Sequence, residues 1–202
     1  MKPAGYRQAI ADFIRSQANP PDKLSHQVRL YALAKRLADG QPYDDEVLYA
    51  AAWLHDLGVF TGHRPENPAE LAAWDNVAYA CRQAPQILRQ FGFPEAKIPA
   101  VLHAIQSHLP SGKPNCFEAT LLRDADLLEQ LGAIAVLRTV SKVGRDTRFL
   151  RHADAVRVLR QNVERLPEQL RLASARHLAA PRVQILNAFL AAVETEADGN
   201  DL

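Results

Sequence analysis

Hydrophobic positions along this chain recur at helical spacing, and almost no segment shows the alternation typical of a strand. Val, Ile and Thr never alternate with polar residues over a useful length, whereas Ala, Leu, Arg, Glu and Gln dominate. Turn residues separate the apolar segments. The predicted helices cover residues 6–17, about 22–40, 44–56, 69–91 with a kink or break at Pro85, 98–108, 118–131, 133–143, 149–165, 170–177 and 181–194. We therefore expect an all-α protein with two polar loops, at 61–68 and 109–115.

Length and composition fit one soluble domain. The chain has 202 residues, of which 48% are hydrophobic and 23% charged, and it has no internal repeat or low-complexity linker. The formal net charge of +1 gives no overall attraction for a nucleic-acid polymer or an anionic membrane surface. No apolar run approaches the roughly 20 residues that cross a bilayer, and the N-terminus lacks the apolar core of a signal peptide. Two distant cysteines without a CxxC pair then favour a cytoplasmic protein.

The stretch Ala50–Gly58 carries the clearest chemical signal. An apolar helical run ends in adjacent His55 and Asp56, and Gly58 is expected to close the helix. Imidazole and carboxylate together suit a divalent ion of the zinc, iron, nickel or manganese type. A single His-Asp pair is weak evidence for a metal site, so the prediction depends on whether other parts of the chain supply further ligands.

Three other residues on predicted helices qualify as partners of this pair. His26 lies near the start of the second helix, His108 ends the helix before the 109–115 loop, and Asp124 lies in an apolar helix where an unpartnered carboxylate would be costly. Asp126 competes with Asp124 for this role. A mixed set of nitrogen and oxygen ligands could hold a divalent ion with open positions for water and substrate. Such an ion can polarise a phosphoryl oxygen and supply hydroxide at neutral pH, which are both needs of phosphoester hydrolysis.

These motifs resemble those of the HD-domain metal-dependent phosphohydrolases, and in particular an uncharacterised branch of bacterial hydrolases. The family pattern is a histidine, a His-Asp doublet on the next helix and an aspartate well downstream, matched by His26, His55, Asp56 and Asp124. The segment AAWLHDLG and the segment DADLLEQLGA look like the corresponding family motifs. The resemblance covers His26 to about Arg138. It implies an all-α, single-domain helical bundle of the HD type over 1–202, with a metal-site core at about 22–145. The residues themselves predict the C-terminal helices at about 149–194, and the polar composition of 195–202 predicts a frayed tail.

The resemblance also implies the ligand set, and it chooses Asp124 over Asp126. Related proteins carry a further histidine where this chain has Asn76, and a second metal would need that ligand. We therefore expect one divalent ion (Mn, Fe, Ni, Co, Zn or Mg) held by His26, His55, Asp56 and Asp124. His108 would then support a ligand or contact the phosphate.

An anionic substrate also needs cations and a proton donor. His63 and Arg64, in the loop after the doublet, could meet a phosphate, although a solvated loop is a competing interpretation. The candidate substrate-binding residues are Arg29, Arg64, Lys142 and Arg145. Asp56 could orient the attacking water, while His108, His63 or the basic residues neutralise the phosphate and protonate the leaving oxygen.

The predicted function is metal-dependent hydrolysis of a nucleotide or other small phosphoester, with a metal-activated water as nucleophile. We expect a small phosphorylated substrate, no nucleic-acid polymer and no membrane partner, and the sequence leaves the oligomeric state open. One alternative is a non-enzymatic helical domain that binds a metal or nucleotide. Another is an iron-dependent oxygenase of the HD-like type, which Asn76 argues against.

Overall fold

The computed structural model describes residues 5–202, and this range forms ten α-helices and no β-strand. The all-α prediction is therefore confirmed. A single isolated bridge joins Thr61 and Arg64. The helices are Tyr6–Gln17 (α1), Leu24–Leu37 (α2), Asp45–Leu54 (α3), Pro68–Ala72 (α4), Asn76–Gln90 (α5), Ile98–Ser107 (α6), Phe117–Glu129 (α7), Ala133–Val140 (α8), His152–Arg165 (α9) and Ala173–Ala197 (α10).

The chain forms two compact units, the first ending at Ala125 and the second beginning at Asp126. The predicted domain boundaries stay a prediction. Residues 1–4, which belong to the N-terminus predicted to lack a signal peptide, lie outside the described range. Across residues 5–202, every helix is too short or too polar to cross a bilayer.

Helix α3 is the central helix of the first unit. Every residue from Val47 to Leu54 is buried, and α3 packs against α1, α2 and α6. A helix that is apolar all round has to be buried on all sides, and the run Ala50–Ala52 lets neighbouring helices approach closely. Asp44 starts the helix, because its carboxylate accepts hydrogen bonds from the backbone N–H groups of Glu46 and Val47. This packing fixes where the C-terminal end of α3, with the His-Asp doublet, lies in the unit.

An Arg–Asp pair attaches α1 to the start of α3. Arg7 Nη2 lies 2.8 Å from Asp45 Oδ2, and Arg7 Nη1 donates to the Tyr31 hydroxyl at 3.2 Å. The Tyr49 hydroxyl donates to the Arg7 carbonyl at 2.7 Å. The pair is half-exposed, so it contributes less than a fully buried pair would.

The second unit buries a smaller core between three helices. α9 packs against α8 and α10, and α10 also contacts α8. The buried apolar side chains of these three helices are alanines and leucines, as in Ala135, Leu159, Ala175 and Leu186.

Two proline positions correct the predicted helices. The break expected at Pro85 is wrong, because Pro85 lies inside α5 and the chain is interrupted at residues 73–75 instead. Asp75 causes the restart, since its carboxylate accepts from the Ala78 N–H and caps α5. Pro181 likewise lies inside α10, so the two C-terminal helices predicted around it are one helix. A proline removes one N–H from the helix, and packing of the rest of the helix can offset that loss.

Candidate metal centre

His26, His55 and Asp56 meet where α2 begins and α3 ends. His26 lies in the first turn of α2, His55 is the residue that closes α3, and Asp56 follows it. Their candidate ligand atoms all lie within 4.8 Å of one another. Asp56 Oδ2 lies 3.6 Å from His26 Nε2 and 3.5 Å from His55 Nε2. The structure therefore brings three of the four predicted ligands to one point.

The hydrogen bonding of His55 leaves one ring nitrogen suited to bind a cation. Its Nδ1 lies 3.0 Å from the carbonyl oxygen of Ala52. A carbonyl oxygen only accepts, so Nδ1 carries the proton and the neutral ring presents the Nε2 lone pair. A hydrogen bond from the other ring nitrogen to a backbone carbonyl is the usual way in which a protein orients a metal-binding histidine. The backbone geometry of the helix end thus determines which nitrogen faces Asp56.

The spacing of the three donor atoms fits a divalent ion. Ligand atoms at about 2.1 Å from one ion, arranged tetrahedrally, lie about 3.4 Å apart. The two N–O separations of 3.5 and 3.6 Å are close to that value. The His26 and His55 side chains are buried, while Asp56 is 19% exposed and so borders the solvent. These residues could hold a divalent cation, and Asp56 is the most exposed member of the group.

His108 lies directly beside this group. Its ring centroid is 5.0 Å from that of His55, and the His55 centroid is 5.3 Å from that of His26. His108 Nδ1 donates to the Ile105 carbonyl at 2.6 Å, which leaves its Nε2 as the nitrogen able to contact another group. His108 is 2% exposed. The structure thus places it next to a candidate ligand, and its catalytic role stays a prediction.

Asp124 is the fully buried carboxylate of α7. Arg123 Nη1 donates to its Oδ1 at 3.3 Å. Asp126, the competing carboxylate, accepts at 3.1 Å from the side-chain amide of Gln130, the residue that follows its helix. The choice of Asp124 as the fourth ligand stays a prediction.

Gly58 has a different role from the one predicted. It is not among the glycines with positive φ, and α3 already closes at His55. A Cβ on Gly58 would lie 2.6 Å from the carbonyl oxygen of Asn76. The glycine therefore allows the start of α5 to contact the turn after the doublet. Two side chains hold the same turn, since Trp74 Nε1 donates to the Gly58 carbonyl at 2.8 Å and Lys23 Nζ to the Val59 carbonyl at 2.6 Å.

His63 has hydrogen bonds on both ring nitrogens. Nε2 lies 2.8 Å from Gln17 Oε1, and Nδ1 lies 2.9 Å from the Tyr79 hydroxyl. The amide oxygen only accepts, so Nε2 donates and Nδ1 accepts from the tyrosine. Burial lowers the pKa of His63, which keeps this neutral form in place. The ring connects the loop to α1 and α5, and its predicted contact with a phosphate would require it to leave one of these partners.

The predicted substrate-binding cations lie in both units. In the first unit, Arg29 is one turn after His26 on α2 and donates to the Ser25 hydroxyl, and Arg64 is half-buried beside the bridge with Thr61. In the second unit, Lys142 lies over the Phe149 ring and Arg145 is exposed. Their contact with a substrate stays a prediction.

Arg123 is a buried residue of the first unit that was not predicted from the sequence. It is 3% exposed and lies in the same apolar helix as Asp124. The signal that singled out Asp124, a charge in an apolar helix, applies equally to its neighbour. Trp74 had no signal in the sequence that indicated its bond to the Gly58 carbonyl.

Comparisons with known proteins agree with this architecture. The family model described as the HD domain matches residues 24–131, a little over half of the chain. A search of the curated proteins finds no match to this chain.

Several solved structures share the fold. YpgQ of Bacillus subtilis is 20% identical with a TM-score of 0.72, covering 97% of this chain and 98% of that one. YpgQ in complex with ADP is 21% identical with a TM-score of 0.70, covering 96% and 100% of the two chains. A predicted HD superfamily hydrolase from an uncultured Thermotogales bacterium is 23% identical with a TM-score of 0.65, covering 97% and 95%. The HD-type fold predicted from the sequence motifs is confirmed.

Proposed function

Because this chain belongs to the HD domain family, we propose that it is a metal-dependent phosphohydrolase acting on a nucleotide or another small phosphoester. The observation that carries the proposal is the group of His26, His55 and Asp56, whose donor atoms lie within 4.8 Å of one another. Two imidazoles and a carboxylate suit a divalent ion of the first transition row better than they suit a structural role in an apolar interior.

One ion would be held by His26, His55, Asp56 and Asp124. When bound, it would polarise a phosphoryl oxygen and lower the pKa of a coordinated water so that hydroxide forms near neutral pH. The residue at the position of a further family histidine is Asn76, whose backbone lies against Gly58. An amide is a poor substitute for an imidazole as a ligand, which favours a single ion.

Asp56 and His108 are the residues suited to handle water and protons. Asp56 is the exposed member of the group, so its carboxylate can accept a hydrogen bond from an incoming water and orient it. His108 carries a proton on Nδ1 and donates it to the Ile105 carbonyl, so Nε2 is the atom that can contact a phosphate. Only the doubly protonated ring carries a second proton on Nε2, and that proton could pass to the leaving oxygen. His63 is less suited to this role, because Gln17 and Tyr79 occupy both of its nitrogens.

A nucleotide is the favoured substrate class. YpgQ, which shares the fold over nearly the whole chain, has been crystallised with ADP. Arg29 and Arg64, which lie in the same unit as the candidate metal centre, are the cations proposed to meet the phosphates, and Lys142 and Arg145 stay separate candidates. A formal net charge of +1 offers no general attraction for a polymer with many phosphates.

The experiment is a metal assay followed by a substrate screen. Metal content is measured on the purified chain, which is then incubated with a panel of nucleotides and small phosphoesters in Mn²⁺, Ni²⁺, Co²⁺, Fe²⁺ or Mg²⁺. Inorganic phosphate release is the readout. We expect one ion per chain and hydrolysis that His55→Ala and Asp124→Ala abolish.

The matched control is His177→Ala, which removes an exposed histidine from α10 and should leave metal content and turnover unchanged. Wild-type protein that binds no stoichiometric metal would refute the proposal. Metal binding without hydrolysis of any compound would support a metal- or nucleotide-binding domain instead, and oxygen consumption by the iron form would support the oxygenase alternative.

A further inference from the structure

Arg123 is a buried cation adjacent in sequence to a proposed metal ligand. Its side chain is 4% exposed, and the neighbouring Asp124 side chain is fully buried. A guanidinium stays charged at any working pH, and burying it is costly unless hydrogen bonds compensate. A leucine would fill the same space in this apolar helix without that cost. The charge at this position therefore needs an explanation beyond packing.

The guanidinium joins two parts of the candidate site. Nη1 donates to Asp124 Oδ1 at 3.3 Å, and Nη2 donates to the Pro110 carbonyl at 2.7 Å. Pro110 lies two residues after His108, in the loop that follows α6. A single side chain thus contacts both the proposed ligand on α7 and the chain segment that leaves His108.

The loop that Arg123 contacts is closely packed against the end of α6. A Cβ on Gly112 would lie 2.1 Å from the Ser107 carbonyl oxygen, so the loop backbone approaches as closely as only a glycine allows. The Gly112 N–H also donates to the Leu109 carbonyl at 2.8 Å. Pro110 therefore presents its carbonyl from a well-defined turn, and Arg123 connects that turn to Asp124.

We propose that Arg123 is a positioning residue, which orients the Asp124 carboxylate towards a divalent ion and holds the loop after His108 at the same time. This inference rests on the proposed function in one respect, the role of Asp124 as a ligand. A bond from the guanidinium to one carboxylate oxygen restricts rotation of the carboxylate, and supporting contacts of this kind set the affinity of metal ligands.

The charge of Arg123 has a second consequence. Two ligand carboxylates and a divalent ion sum to zero, so the guanidinium adds one positive charge to this group. That charge favours an anionic phosphate over a neutral compound, and it acts without contact because a buried charge is weakly screened.

The test uses Arg123→Lys and Arg123→Met in the full chain. Lysine keeps the charge but cannot make the two separate bonds of the guanidinium fork, and methionine keeps much of the volume without the charge. The control is Arg7→Met, which removes another guanidinium paired with an aspartate in the same unit. Co²⁺ is titrated into metal-free protein and followed by its visible absorption. Amide hydrogen exchange of residues 109–115 is measured in metal-free protein, and inorganic phosphate binding is measured with Co²⁺ bound.

We expect both Arg123 variants to bind Co²⁺ on the order of tenfold more weakly than wild type, with an altered absorption spectrum. The amides of residues 109–115 should exchange faster in both variants. Phosphate binding should weaken more in Arg123→Met than in Arg123→Lys, because only lysine retains the charge. Arg7→Met should match wild type in all three measurements, whatever its thermal stability.

Wild-type Co²⁺ affinity and spectrum in Arg123→Lys, with unchanged exchange of residues 109–115, would overturn the proposal. The proposal would also be overturned if Arg7→Met lost as much Co²⁺ affinity and loop protection as the Arg123 variants, because equal losses would reflect general destabilisation. Arg123→Lys decides the question if Arg123→Met does not fold. Wild-type protein that binds no Co²⁺ would refute the proposed function, while the exchange measurement would still report whether Arg123 holds the loop.

Discussion

Gly58→Ala tests whether the turn after the His-Asp doublet depends on close backbone contact. The added methyl carbon would lie 2.6 Å from the Asn76 carbonyl oxygen and 2.8 Å from its Cα. Non-bonded heavy atoms rest at about 3.5 Å or more, so the start of α5 would have to move by about 0.9 Å. The obstacle is backbone, which cannot rotate away as a flexible side chain can.

The expected cost follows from that displacement. Inserting one carbon into a closely packed site destabilises a protein by about 1–3 kcal/mol. For a chain of this length, each kcal/mol corresponds to about 2–4 °C, so the thermal midpoint should fall by roughly 2–12 °C. The Trp74 bond to the Gly58 carbonyl should lengthen as the two segments separate.

The assay is thermal and urea unfolding of the metal-free proteins, so that ion binding does not contribute. The control is Gly5→Ala, because Gly5 has a φ of −59° and nothing within 4 Å of the position of an added Cβ. An unfolding midpoint for Gly58→Ala equal to that of Gly5→Ala would refute the reasoning. It would mean that α5 does not rest against the turn.

Three further changes probe the same unit. Burial lowers the pKa of His63 below its ordinary value of about 6.5, so the unfolded state takes up a proton first as pH falls, and the folded state loses stability there. His63→Gln should therefore lose less free energy of unfolding than wild type between pH 7 and pH 5, as measured by urea titration. Equal pH slopes for the two proteins would contradict this. Asp44→Ala removes the cap of α3 and should cost about 1–2 kcal/mol in the same assay at pH 7, whereas an unchanged midpoint would show that the cap is dispensable. A divalent ion at a hundred times its Kd should raise the free energy of unfolding of wild type by about 2.7 kcal/mol, measured by calorimetry, and chelation should reverse the gain. His55→Ala should show no such gain. An equal gain in His55→Ala would place the ion elsewhere.

Local patterns in the sequence predicted much of the fold. α1 was predicted with its observed limits, and α3 was predicted to within two residues at its C-terminal end, because capping residues and apolar spacing act within a few positions. The HD-domain resemblance is confirmed for the same reason, since its motifs are short and contiguous. The proline errors show the limit of local rules. Pro85 and Pro181 disfavour a helix locally, but packing of the flanking turns keeps each helix continuous.

The sequence also predicted the chemistry of the site from residue type and order. A histidine, a His-Asp doublet and a buried aspartate indicated a divalent metal before any distance was known. The structure brings His26, His55 and Asp56 together, as that pattern required. Burial of Asp124 could be predicted as well, since the surrounding residues of α7 are apolar.

Only the tertiary structure decided what the supporting residues do. His63 could be interpreted as a phosphate contact until Gln17 and Tyr79, which are 46 and 16 residues away, were found on its two nitrogens. Gly58 could be interpreted as a helix terminator until the backbone of Asn76 was found against it. Capping and helix formation depend on neighbours in the chain and can be predicted from it. Hydrogen-bond partners and close approaches join distant segments, so they are determined only when the helices have packed.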